Sequence, residues 1–475
     1  EAFGDTYSSI ERVVGSTGDD VIRGTASTDY FVGREGNDVF LGRGGGDVFD
    51  GGAGIDTVWY DQQAVVDLIL ASSGAAAGDR YTSIERVVGS NADDIMRGTT
   101  TTDYFVGRDG NDIFQGRGGG DWIDGGAGID TVWYDSEVIV DLEDSSANTG
   151  VAAGDRYQSI ERVVGSETGN DIIRGTAATD YFVGRAGNDI FQGRGGGDWF
   201  DGGIGIDTVW YETAATVDLA GLTQNGGGAT GDRYVSIERV VGSNDVDIIR
   251  GTDNADYMLG RGGDDIFLGR GGADTFDGGD GVDTVWYDQG VTGGTLLIDL
   301  ISSGRNTGEA AGDTYVSIER VVSSNSADYV LGTQSRDFIL ARDGDDVIEG
   351  RGGDDVIDAG AGSDRIAGGL GADLLTGGGG RDAFVYFAAA EGGDVITDFQ
   401  SGEDLLEFRG FGLTGNDWFV NGLTATGNGP QILWDAATGR VLWDPDGAGA
   451  GGAALIATLQ AGASLKASDI MRIDP

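Results

Sequence analysis

The chain has no cysteine and no histidine in 475 residues. Without cysteine there is no disulfide to brace a fold and no thiol to act as nucleophile or ligand. Without histidine there is no Ser-His-Asp triad, no HExxH zinc site and no imidazole for acid-base work near neutral pH. Lys466 is the one lysine, so no basic stripe exists for nucleic acid. No apolar run approaches the ~20 residues that a membrane-spanning helix needs. No secretory leader stands before the repeats, and the chain is expected to start inside a module whose front is missing.

What is present in excess is glycine, at 91 residues, and acid: 80 Asp and Glu against 30 Lys and Arg, for a net charge of −50. Charge of that size opposes a compact state. A disordered acidic polymer is nevertheless a poor reading, because the 39% hydrophobic residues are placed with a strict period of nine, which low-complexity sequence does not show. GSTGDDVIR, GTASTDYFV, GREGNDVFL, GRGGGDVFD and GGAGIDTVW run from Gly15 to Trp59 without a gap. They put Asp20, Asp29, Asp38, Asp47 and Asp56 at position six and Ile22, Phe31, Phe40, Phe49 and Val58 at position eight. Three further sets of five follow, the third set carrying one inserted residue in its first unit, GSETGNDIIR, and a last set of seven ends at Asp382, giving 27 units that keep both rules apart from that insertion.

The glycines let the chain turn tightly with positive φ, and the β-branched or aromatic residues after each aspartate suit a short strand. One turn and one strand make half a coil. Two nonapeptides close a coil, so units i and i+2 stack at about 4.8 Å, position eight points inward between two parallel sheets, and the aspartates form columns. Stacked like charges call for a cation between them, and a carboxylate with turn carbonyls suits a hard divalent ion, calcium above all. About 25 such ions would cancel the charge (50/2). The fold class is therefore all-β, and the fold is expected to need calcium.

GGAGIDTVW, GGIGIDTVW and GGDGVDTVW resemble the nonapeptide of the RTX (repeats-in-toxin) family of secreted bacterial proteins. The resemblance implies tandem calcium-binding parallel β-rolls with a β-rich C-terminal capping domain. It implies calcium held by position-six carboxylates and main-chain carbonyls from turns two units apart, joining Asp38 with Asp56, Asp112 with Asp130, Asp189 with Asp207 and Asp265 with Asp283. The full set of implied ligands adds Asp47, Asp121, Asp198, Asp274, Asp346, Asp355, Asp364, Asp373 and Asp382, for on the order of 15–25 ions. Arg34, Arg43 and their counterparts replace the second glycine of the motif. GTASTD, GTTTTD, GTAATD and GTDNAD lack its inner glycine, so Asp29, Asp103, Asp180 and Asp256 are expected to be structural or partial ligands.

A longer repeat of roughly 75 residues encloses the nonapeptides. SIERVV recurs with Ile10, Ile84, Ile160, Ile237 and Ile318, and VWY with Trp59, Trp133, Trp210 and Trp286. The expected segments are five modules, 1–60, 61–134, 135–211, 212–287 and 288–390, and a C-terminal region, 391–475. SIERVV keeps the phase of nine, with Glu11, Glu85, Glu161, Glu238 and Glu319 in the aspartate place, and reads as a capping coil. AVVDLIL and TLLIDLI read as connector strands covering the rolls. Tyr30, Trp122, Trp199 and the VWY tryptophans should face outward, against connectors or partners.

Residues 392–412 resemble the segment that closes serralysin-type rolls, and the tail through ALIATLQAGASLKASDI resembles uncleaved type I secretion signals. DPDGAG, 444–449, reads as an Asp-Gly turn. Carboxylate pairs in such turns are calcium ligands far more often than acid-base pairs, so no enzyme is expected. Two functions follow: a secreted structural protein of surface-layer, fibre or adhesin type, or the calcium-binding export module of a larger secreted enzyme or toxin. Candidate partners beyond calcium are further copies of the chain and a cell-surface glycan or lipopolysaccharide.

Overall fold

The computed structural model describes residues 10–287, 294–449 and 451–473. Among these the only helical segments are five single turns of 3-10 helix, and everything else regular is β-strand. The expected stacking is found. Val39–Leu41 lies parallel to Val21–Arg23 on one side and Thr57–Trp59 on the other, each pairing offset by eighteen residues. Tyr30–Glu35 and Val48–Ala53 pair in the same register on the opposite sheet, Phe31 beside Phe49. Two nonapeptides make one coil, and each coil hydrogen-bonds to the next.

Position eight supplies the core. Phe40, Phe105, Phe114, Phe182, Phe191, Phe267 and Phe276 are fully buried. Their rings form continuous ladders, as where Phe31 and Phe49 stack at 5.4 Å between centroids and Phe49 meets Tyr81 at 5.8 Å. Such offset contacts add to area burial.

Two compact bodies result, residues 1–212 with 221–239, and residues 213–220 with 240–475. In the first body the connector Ala64–Asp67 adds a parallel strand to Ile95–Arg97, the opening strand of the next set, and Ile139–Asp141 does the same for Ile172–Arg174. In the second, Leu297–Asp299 serves Tyr329–Leu331. The expected module start at 288 falls outside the described residues. SIERVV differs from its expected role as a cap. Arg86–Val88 pairs with Thr57–Trp59 and with Tyr104–Asp109, so it is a coil in line with the others. The reason is its unbroken phase of nine: a segment that keeps the period keeps the register and has neighbours on both sides.

In the second body, residues 392–412 extend the roll rather than close it, because further strands stack on them. Asp394–Ile396 pairs with Leu374–Thr376, and Leu405–Arg409 with Ala383–Tyr386. Ala454–Leu459 and Ile470–Ile473 then add the next parallel strands. Gln431–Asp435 and Arg440–Asp444 form an antiparallel hairpin beside them. DPDGAG is the turn that the sequence suggests, the Asp444 carboxylate accepting the N–H groups of Asp446 and Gly447.

Candidate metal centres

Every position-six aspartate except Asp20 is buried. Each column is tied by one repeated bond: the N–H of Asp38 donates to Oδ1 of Asp56 at 2.7 Å, that of Asp20 to Asp38 at 2.8 Å, that of Asp94 to Asp112 and that of Asp112 to Asp130. The same bond joins Asp189 to Asp207, Asp265 to Asp283 and Asp346 to Asp364. The aspartate pairs implied by the resemblance are thus neighbours in the columns, with Oδ1 of each engaged.

The second oxygen divides the aspartates into two classes. In Asp38, Asp47, Asp56, Asp112, Asp121, Asp130, Asp189, Asp198, Asp207, Asp265, Asp274, Asp283, Asp346, Asp355, Asp364 and Asp373, Oδ2 is buried with no hydrogen-bond partner. Those are sixteen of the seventeen candidates read from the sequence. The seventeenth, Asp382, has its Oδ1 engaged by the N–H of Asp364 and is followed in its column by Asp404. In Asp29, Asp103, Asp180 and Asp256, Oδ2 accepts both the N–H and the hydroxyl of Thr25, Thr99, Thr176 and Thr252. Ser16, Ser90, Ser166, Ser243 and Ser324 close off Asp20, Asp94, Asp171, Asp247 and Asp328 in the same way.

The residue at position two therefore separates the classes. Where it is Ser or Thr, Oδ2 is satisfied within its own nonapeptide, although Oδ1 of Asp103 is buried without a partner. Where it is Gly or Arg, the turn takes positive φ and no hydroxyl is at hand: Gly52 has φ 105°, Arg34 92°, Arg43 67°, Arg108 89° and Arg117 68°. Arginine, a departure from the motif in sequence, adopts the glycine conformation in structure, so those nonapeptides keep the geometry of the full motif. The side chain costs strain that the stacked coils hold in place.

The space in front of the unpartnered oxygens is shaped for a small cation. A Cβ at Gly33 would collide with Asp38 Oδ2 and the Gly51 carbonyl, and one at Gly54 with the Gly36 carbonyl. Glycine thus keeps a cradle open between a carboxylate oxygen and main-chain carbonyls, the hard all-oxygen donor set that suits calcium. Among the described residues no three acidic side chains converge on one point. The carboxylates arrive one per coil, so carbonyls must complete any coordination shell.

Electrostatics point the same way. Burial, aided by the neighbouring column carboxylates, pushes Asp121, Asp198 and Asp274 up to about 8. It pushes Asp47, Asp112, Asp189, Asp265, Asp346 and Asp355 to about 7. Ionised carboxylates are costly here unless a cation compensates them. The connector aspartates behave oppositely. Burial disfavours the Asp67 and Asp141 carboxylates, but the Arg117 and Arg194 guanidinium groups outweigh it and hold both below the usual range.

Column ends were only partly legible. Glu85, Glu161 and Glu319 take the aspartate place as the phase indicates, accepting the N–H of Asp56, Asp130 and Asp283. Asp79, Asp155, Asp232 and Asp313 end the other columns, accepting from Asp47, Asp121, Asp198 and Asp274. They lie off the nonapeptide phase. The signal that marks them is the recurring GDRY or GDTY at 78–81, 154–157, 231–234 and 312–315. Tyr60, Tyr211 and Tyr287, each the Tyr of a VWY, donate to the second oxygen of Asp79, Asp232 and Asp313.

The description RTX calcium-binding nonapeptide repeat (4 copies) matches residues 5–40, 23–58, 97–132, 167–190, 174–209, 241–276, 259–291, 323–357, 331–366 and 349–384, together more than half of the chain. Among solved structures, the crystal structure of extracellular lipase LipA from Serratia marcescens is similar at 18% identity over 57% of this chain, with a TM-score of 0.16. The match covers 45% of that lipase chain. No curated protein sequence matches.

Proposed function

The chain belongs to the family of RTX calcium-binding nonapeptide-repeat proteins and binds many calcium ions, and from that premise we propose that it is a secreted, non-catalytic structural protein of surface-layer, fibre or adhesin type. The observation that carries the reading is the set of sixteen buried carboxylate oxygens without a hydrogen-bond partner. Their desolvation is offset only when cations bind, so binding energy becomes folding energy. Sites of extracellular calcium modules bind at about 0.1–1 mM. The chain would stay unfolded in a bacterial cytosol, pass an export channel through its C-terminal region, and fold outside.

A structural role is supported by the way that successive sets are fastened. Arg117 grips Asp67 through two bonds of 2.8 Å, and Arg194 grips Asp141 through bonds of 2.7 and 2.6 Å. Arg270 and Arg351 hold Asp218 and Asp299 in the same bidentate manner. An export signal has no need of such repeated fastening. Exposed Trp122 and Trp199 offer the same apolar patch more than once along the chain, and recurring patches favour contacts that propagate. Light scattering and electron microscopy of the purified chain in millimolar calcium test the reading. Calcium-dependent association, lost in a Trp122→Ser, Trp199→Ser variant, is the expected result. A folded protein that stays monomeric at high concentration would move the weight to an export module of a larger secreted enzyme.

A further inference from the structure

Four Ser-Ile-Glu turns, at 83–85, 159–161, 236–238 and 317–319, lie outside the residues matched to the nonapeptide repeat. Each is three residues long, standing between Arg80–Thr82 and Arg86–Val88 in the first case and between Thr314–Val316 and Arg320–Val322 in the last. The serine of each takes positive φ, 49° at Ser83, 50° at Ser159, 50° at Ser236 and 48° at Ser317. A residue with a side chain is strained there, and such strain gathers where a ligand is held.

The conformation aims a carbonyl. A Cβ added at Gly51 would strike both the Ser83 carbonyl and Oδ2 of Asp56, so these two oxygens flank one cradle. Gly125 stands in the same way before Ser159 and Asp130, Gly202 before Ser236 and Asp207, and Gly278 before Ser317 and Asp283. Asp56, Asp130, Asp207 and Asp283 are 0% exposed, and Oδ2 of each has no hydrogen-bond partner. The same turn brings a second carboxylate to the spot. Glu85, Glu161, Glu238 and Glu319 accept the aspartate N–H through Oε2, at 3.0, 3.0, 2.9 and 3.0 Å.

Within a set, both halves of a cradle are nonapeptide turns, as where Gly33 faces Oδ2 of Asp38 and the Gly51 carbonyl. At the junction the second turn is shorter and offers fewer carbonyls. A glutamate, with one more methylene than aspartate, brings an oxygen in their place.

We infer that each of these Ser-Ile-Glu turns is half of a calcium site whose other half is the last nonapeptide turn of the preceding set. The ligands are Oδ2 of the aspartate, the serine carbonyl and Oε1 of the glutamate. Hard oxygens on a flexible side chain and a turn suit calcium better than magnesium, which demands near-ideal octahedral geometry. The ion spans 29 residues of chain from Asp56 to Glu85, and 36 from Asp283 to Glu319. Closing long loops is where a metal clip stabilises most. The junction ion therefore fastens the end of one set to the segment that opens the next. The inference rests on calcium binding by the chain and holds whether or not the chain forms fibres or lattices.

The test is equilibrium dialysis of the full chain against calcium, with Glu85, Glu161, Glu238 and Glu319 all replaced by Gln. Glutamine keeps an oxygen for the aspartate N–H and removes the charge. At a free calcium concentration that just saturates the parent, the fourfold variant should hold about four ions fewer, one for each junction. Circular dichroism verifies that it folds. Glu161→Gln alone is read by hydrogen exchange at the same calcium concentration: amides of the connector 135–158 should exchange about tenfold faster, while those of 61–82 keep their protection. Ser159→Gly preserves both the positive φ and the carbonyl, and it should leave the ion count unchanged. A folded fourfold variant that holds as many ions as the parent, unaltered exchange in Glu161→Gln, or loss of an ion in Ser159→Gly would each overturn the proposal.

Discussion

At the scale of the residue, position two of the nonapeptide decides whether an aspartate is free to hold an ion. Asp121 follows Arg117, whose φ is 68°, and its Oδ2 has no partner. Asp103 follows Thr99, which occupies its Oδ2 through both N–H and hydroxyl. Asp121→Ala should therefore lower the calcium stoichiometry by about one ion and raise the calcium needed for folding, while other sets survive because repeat arrays couple mainly to nearest neighbours. Asp103→Ala should cost stability, about 1–3 kcal/mol from the lost turn bonds, with the stoichiometry unchanged. Titration calorimetry of both variants decides. If Asp121→Ala binds as many ions as the parent, position six is not the ligand. The aspartates themselves were legible in the sequence because burial and charge impose a strict period. The role of arginine was not, since its intrinsic preference is against positive φ and only the stacked turn reveals that it stands in for glycine.

At the scale of the element, strands of three residues were foreseeable from the triplet of β-branched and aromatic residues after each aspartate. The fastening of one set to the next was not. Arg117 and Asp67 lie fifty residues apart, in a turn and a connector strand that share no pattern, and only the pairing of Ala64–Asp67 with Ile95–Arg97 brings them together. The Asp67 side chain is 4% exposed against 19% for Arg117. Removing the guanidinium therefore strands a buried charge. Arg117→Gly, which suits the backbone, should destabilise the calcium-loaded protein by roughly 3 kcal/mol. The loss should shrink when Asp67→Asn is added, in a double-mutant cycle read by denaturant unfolding. Additive losses would mean that the pair is not coupled.

At the scale of the whole molecule, the columns make the calcium-free fold sensitive to pH in an uncommon direction. Burial raises Asp121, Asp198 and Asp274 to about 8, against about 4 for an exposed aspartate. Between those values the folded chain holds protons that the unfolded chain has released. Stability without calcium should thus rise as pH falls from about 8 toward about 4, and fall as pH rises through the same window. With calcium the order reverses, because protons compete for the same oxygens and the calcium midpoint climbs on acidification. Far-ultraviolet circular dichroism in chelator at about pH 5 and about pH 8 should show more β-structure at the lower value. Equal spectra would mean that the column carboxylates are not desolvated as the fold requires.

The central claim is that calcium is part of the fold, because a chain of net charge −50 stacks its carboxylates in buried columns whose second oxygens have no protein partner. The most direct test is circular dichroism of the purified chain at about pH 9, above the range in which protons could substitute for ions, first in excess chelator and then across a calcium titration. The expected record is little β-structure in chelator and a steep, cooperative gain of it as calcium reaches about 0.1–1 mM. A full β spectrum that persists with no divalent ion present would contradict the account.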